Sequence, residues 1–216
     1  MLTVYEIDGV VPVVHPAAFV DPAAVLIGDV VVGPGVYVGP GASLRGDFGR
    51  ILLEEGCNLQ DNCVLHTLPN DETVVEANGH IGHGAILHGC RIGTNAMVGM
   101  GAVVMDRAVV GECSIVAAMA FVKAGMVVPP QTLVAGIPAK VVRPLSDAEV
   151  AWKTAGTTVY QDLARRCLAS YRPTRPLTEM EPGRKRLTVA DFPTIGEARR
   201  KAELSAPVVT LSGDDP

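Results

Sequence analysis

From Val20 onward an aliphatic residue returns at every sixth position. Val20, Leu26, Val32, Val38 and Leu44 make a first run; Leu53, Leu59 and Leu65 a second; Val75, Ile81 and Leu87 a third; Ile92, Val98, Val104, Val110, Val116 and Val122 a fourth. Glycine follows many of them, as in IGDVVVGPGVYVGPG and MVGMGAVVMDRAVVG. A helix repeats every 3.6 residues and a half-buried strand every two, so neither produces this spacing. Short strands that turn a corner every six residues do produce it. Three such sides close a triangular coil of about eighteen residues, and the aliphatic side chains stack inside as coils pile up. The pattern predicts an all-β solenoid, a parallel β-helix over 20–144, preceded by a lead-in over 1–19.

The register breaks three times: three extra residues between Leu44 and Leu53, four between Leu65 and Val75, and one missing between Leu87 and Ile92. Insertions in a solenoid become corner loops, often on the functional face. After LVAGIPAKVVRPL the repeat ends, and 145–171 reads as a helix opened by an S-x-x-E capping box, Ser146 and Glu149. Val150, Leu163 and Cys167 are its expected buried stripe, with a kink expected at Gly156. The Pro-rich segment 172–216 predicts an extended, partly disordered tail.

Four of the five histidines fall between residues 60 and 89. Side chains alternate across a strand, so the residue after each inward aliphatic points outward. On one side of the triangle those residues are Arg45, His66 and His88. They form an outward ladder with steps of about 4.8 Å, close enough for two imidazoles to share a cation at about 2.0–2.1 Å each. The same counting sets Asp61 and His83 above one another at a corner, with Gln60 just before it. His83 and His88 are about 16 Å apart along extended chain. A third ligand from His83 therefore requires a neighbouring subunit, as in a cyclic homotrimer of parallel prisms.

Composition narrows the field further. A net charge of −5 and a pI of about 5.5 give no basis for binding nucleic acid or an anionic membrane. No apolar stretch reaches membrane-span length, and the first residues lack a basic start with an apolar run, so a cytoplasmic protein is expected. Five cysteines without a CxxC pair fit reduced thiols. Cys57 and Cys63 occupy equivalent small-residue positions and read as packing groups.

The set Arg45-Gly-Asp47, Asn58-Leu-Gln60-Asp61, His66, His83 and His88 resembles the motif of the γ-class carbonic anhydrase-like hexapeptide-repeat family. RGDFGRI, NLQDNCVLH, HIGHGAILHGC, VGMGAVVMD and EPGRKRL are most similar to its phenylacetic acid degradation (PaaY) and carnitine-operon (CaiE) branch. The likeness runs from about residue 5 to about 187. It implies a left-handed helix and one divalent cation per trimer interface, held by His66, His83 and His88. Zn²⁺ is the default for three imidazoles and an open position, with Fe²⁺ or Co²⁺ compatible.

The resemblance gives Gln60 a hydrogen bond to a metal-bound hydroxide, with Asn58 a second catalytic candidate. Arg45, Asp47 and Asp61 belong to the subunit interface and its ionic network, and Tyr160 is a candidate to reach the site from the helix. His80 and His15 read as ordinary polar residues. In the anhydrases of the family a glutamate follows the residue matching Asp47; here it is Phe48, and none of Asp71, Glu72 and Glu76 aligns with the family's proton shuttle. The leading expectation is accordingly a PaaY-like metal-dependent hydrolase of acyl-CoA thioesters from aromatic (phenylacetate) catabolism. Carbonic anhydrase acting on CO₂ or bicarbonate is the first alternative. A metal-free hexapeptide acyltransferase and a non-catalytic scaffold follow.

Overall fold

The computed structural model describes residues 2–189 and 191–205. The repeat folds as a parallel β-solenoid of about seven turns, with helices only near the C-terminus. Three vertical columns of aliphatic side chains fill its interior. One runs Val4, Leu26, Leu44, Leu65, Leu87, Val104, Val122 in direct register. The second runs Val14, Val32, Leu53, Val75, Ile92, Val110, Val128. The third runs Val20, Val38, Leu59, Ile81, Val98, Val116, Val134. From Leu26 onward every member is buried. Each such Val, Leu or Ile contributes about 1.5–3 kcal/mol by leaving water, so the columns are the main source of stability.

The sixfold pattern extends further than its clearest part. Val4 and Val14 join two of the columns, so the first coil already begins within the lead-in. Val128 and Val134 continue the run past Val122. An antiparallel pairing of Thr132–Gly136 with Ala139–Pro144 ends the stack. Cys57 and Cys63 are buried and donate to the carbonyls of Glu76 and Gly82. Burial raises their thiols to about 12 and about 11, so both are inert packing groups.

The first register break is a bulge. In the strand Ser43–Leu53, Gly28 pairs with Gly46 and Val30 with Ile51, so Asp29 alone faces residues 47–50. Gly46 is required there because a Cβ would stand 2.3 Å from the carbonyl oxygen of Asp29. The bulge pushes Asp47 and Phe48 out onto the histidine face.

Helix α1, Asp147–Ser170, starts with the expected capping box and runs without interruption through Gly156, so there is no break at that glycine. Its inner face differs from the expected stripe. Glu149, Lys153, Gly156, Thr157 and Ala164 are buried, whereas Val150, Leu163 and Cys167 are only partly covered. The reason lies opposite: the helix lies against a side of the prism whose outward groups are amides and an imidazole, and polar residues satisfy them. Lys153 Nζ donates to the Asn78 carbonyl and to Asn95 Oδ1, both at 2.7 Å. Its charge costs solvation there, and burial lowers its pKa to about 7. An apolar cluster joins prism and helix in the helix's second half, where Ala164, Tyr160 and Leu163 meet Phe19 and Tyr37.

The tail is less extended than composition suggests. A second helix, α2, Ile195–Ser205, is opened by Thr194 and Glu197, which hydrogen-bond reciprocally as a cap. Arg199 reaches back to the buried Glu149, which also binds Arg143, and Trp152 Nε1 donates to the Pro193 carbonyl at 2.7 Å. The expectation for the last residues, 206–216, lies outside the described residues.

Candidate functional site

Strand register sets His66 and His88 side by side on adjacent coils, on the column position immediately outside Leu65 and Leu87. His66 Nδ1 lies 3.1 Å from His88 Nε2. Each imidazole has a carboxylate on its other nitrogen: Asp47 Oδ1 at 2.9 Å from His66 Nε2, and Asp106 Oδ1 at 2.5 Å from His88 Nδ1. Asp47 in turn accepts from Arg45 at 3.2 Å. The result is a continuous row, Arg45–Asp47–His66–His88–Asp106. Phe48, more than half exposed on the bulge, lays its ring 5.1 Å from that of His66.

A tetrahedral cation bound at about 2.0–2.1 Å by two nitrogens holds them about 3.3 Å apart. The imidazole pair meets that spacing closely, and carboxylates behind ligand histidines fix their tautomer and orientation. The donor set therefore fits half of a divalent-cation site. His83 is not part of it within one chain. Its Nδ1 is 2.6 Å from Asp61 Oδ2, and its Nε2 is 3.4 Å from the Tyr160 hydroxyl. Among the described residues no three His, Cys, Asp or Glu side chains of one chain gather into a complete site.

On the prism side that leads into the Asp61–His83 corner lies a buried amide network. Gln60 Nε2 donates to Asn58 Oδ1 at 3.0 Å and to His80 Nε2 at 2.8 Å. With both hydrogens committed inward, Oε1 is the free end of Gln60 and an acceptor for anything bound beside it. Asn58 is fully buried, which makes it a group that orients Gln60 and keeps it out of reach of a substrate. His80, which its position off both ladders had made an ordinary polar residue, is buried as well. Burial, then the charge of Lys153, lowers its pKa to about 3, so it is a neutral imidazole that anchors Gln60.

Two residues of the site thus escaped the sequence reading. His80 carried no signal beyond being a histidine beside an inward Ile. Asp106 carried none: register pairs Leu87 with Val104, so Met105 stands over His88, and the Asp106 carboxylate reaches the imidazole from one residue further on. Tyr160 stands where the helix was expected to deliver it.

No family model matches the chain. Its amino-acid sequence is 56% identical over 186 residues to carnitine operon protein CaiE of Salmonella agona (strain SL483), covering 86% of this chain and 94% of that one. The same protein of Escherichia coli (strain K12) is 56% identical over 186 residues, with 86% and 95% covered. Among solved structures, a hexapeptide transferase family protein from Anaplasma phagocytophilum superposes with a TM-score of 0.73 at 40% identity, over 76% of this chain and 97% of that chain. A Bacillus cereus protein provisionally assigned as an acetyltransferase superposes with a TM-score of 0.77 at 30% identity, over 78% and 98%. Both of these solved structures carry transferase names.

Proposed function

Since the chain belongs to the hexapeptide-repeat, γ-class carbonic anhydrase-like family that includes carnitine operon protein CaiE, we propose that it is an acyl-group enzyme acting on acyl-CoA thioesters, with water as the acceptor. The observation that carries this reading is the pair His66 and His88, 3.1 Å apart and each backed by a carboxylate. A transferase that needs one histidine as base has no use for two imidazoles meeting at chelating distance. His66 and His88 of one chain, with His83 of a second copy, would hold a divalent cation, Zn²⁺ by ligand type, in a homotrimer. Such a cation supplies acidified water and polarises a carbonyl oxygen.

The protein's own groups do the rest. Asp47 and Asp106 hold the two imidazoles in position. Gln60 offers Oε1 as an acceptor that orients the attacking water. Asp61 keeps His83 aligned at the corner, where Tyr160 lies beside it. Phe48 covers His66 with an apolar ring and suits an organic acyl substrate better than a proton relay. Of the neighbouring loop's acidic residues, Glu72 and Glu76 are paired with Arg91 at 3.0 and 2.9 Å, and Asp71 lies 3.8 Å from Arg107. That occupation weakens the carbonic anhydrase alternative, which needs a free shuttle.

The second reading, a metal-free acyltransferase, is favoured by the names of the two solved relatives. His88 with Asp106 would then be its base. Thiol release from an acyl-CoA panel separates the two. Hydrolysis predicts release in water alone that is lost with a chelator and restored by Zn²⁺. Release that needs an added amine or alcohol acceptor and ignores the chelator overturns the hydrolase reading in favour of the transferase.

A further inference from the structure

A cavity of about 300 Å³ opens between the prism and α1, lined by Gln60, His83 and Tyr160 of the candidate site. The rest of its wall is mainly apolar, from Met97, Met100, Val159, Trp152 and Phe192. We propose that this cavity is the acyl-chain subsite, and that it takes an apolar group of about ring size, with Phe192 of the tail as its roof. The inference rests on the acyl-group reading above.

Three observations carry it. The first is size: an apolar cavity of about 150 Å³ already binds benzene, so twice that volume holds a six-membered ring together with its carbonyl linker. It is far too small for the CoA portion, which must remain outside. The second is chemistry. Two methionines and two aromatic rings make an adaptable, polarisable lining suited to a flat or branched apolar group. The third is Gly156. A helix interior disfavours glycine by about 1 kcal/mol relative to alanine, yet α1 retains one where it borders the cavity. A Cβ there would come within 3.0 Å of Phe192 Cζ. The missing side chain lets the roof sit as low as it does. The roof is held by the Trp152–Pro193 hydrogen bond, the Trp152–Phe192 ring contact at 5.5 Å and the Arg199–Glu149 pair.

Trp152 is the single tryptophan, so its fluorescence reports directly on occupancy. The full chain is titrated with cyclohexanecarboxamide, a neutral ring-sized amide that does not absorb with tryptophan, and with acetamide as the small control. The wild type is expected to give a saturable change with the ring amide and none with acetamide. Gly156→Leu fills the space and should weaken the ring amide at least about tenfold. Phe192→Ala removes the roof without touching the helix and should also weaken it several-fold, which keeps the test open if Gly156→Leu fails to fold. No saturable change in the wild type, or unchanged affinity in both variants, overturns the subsite. A saturable change with no turnover of cyclohexanecarbonyl-CoA sinks the proposed chemistry and leaves the subsite standing. Turnover of that thioester with no fluorescence response does the reverse.

Discussion

His80 makes the stability of this fold depend on pH in a calculable way. The groups around it are Asn58 and Gln60 from the coil below, Lys153, Thr157 and Tyr160 from α1, and His83 further along its own coil. No carboxylate is among its hydrogen-bonding partners, and burial holds its pKa down at about 3 against 6.5 for an ordinary imidazole. A proton therefore binds the unfolded chain more readily than the folded one between those values. Stability is lost as pH falls through 6.5 and the loss ends near 3. Between pH 7 and 5 the linkage costs about 2 kcal/mol, a figure set almost wholly by the unfolded value once the folded one lies well below 5. Guanidinium unfolding at fixed protein concentration, at pH 7 and pH 5, would measure it. His80→Gln should remove about 2 kcal/mol of the wild type's pH dependence, whatever it does to stability at pH 7. Equal pH dependence in the two proteins would mean that the buried imidazole accepts a proton in the native state, and the assignment of His80 as a neutral anchor would fall.

Other consequences are equally direct. Asp106→Asn, which removes the carboxylate behind His88, should lower Zn²⁺ affinity about 10–100-fold without changing the far-ultraviolet spectrum, as read by competition with a chromophoric chelator. Leu65→Ala, at the middle of a fully buried column, should cost about 2–5 kcal/mol in denaturant unfolding. Gly46→Ala drives a Cβ against the Asp29 carbonyl and should exceed the about 1–3 kcal/mol of ordinary overpacking, since backbone must move. Glu149→Gln should cost about 1–3 kcal/mol. It loosens both arginines that meet there, and limited proteolysis should then cut faster in the segment before α2.

The solenoid was legible because its signal is one-dimensional: the three columns are the sixfold runs, wrapped. The pairing of His66 with His88, and of Asp61 with His83, followed from counting; Asp106 did not, since counting by register sets Met105 over His88. What counting could not supply was anything set by contact between the prism and the chain that returns over it. The helix was read as a conventional apolar stripe, but its inner face had to answer Asn78, Asn95 and His80, so Lys153 and Thr157 went inside, while Glu149 was buried by Arg143 and Arg199. His80 looked idle because its partners, Asn58 and Gln60, lie a whole coil away and Thr157 lies 77 residues on. Gly156 read as a weakness in a helix because Phe192, the ring it makes room for, belongs to a tail with no periodic signal.

Stacked coils also limit how such a site can be altered. His66, His88 and Asp106 stand on three successive storeys, and height along the prism is quantised in steps of about 4.8 Å. A few residues added at a corner swell outward and leave that height unchanged, as the bulge at 47–50 does. Only the gain or loss of a whole storey changes it. The vertical spacing of the reactive groups is therefore protected from small insertions, while the loops around them remain free to vary in length.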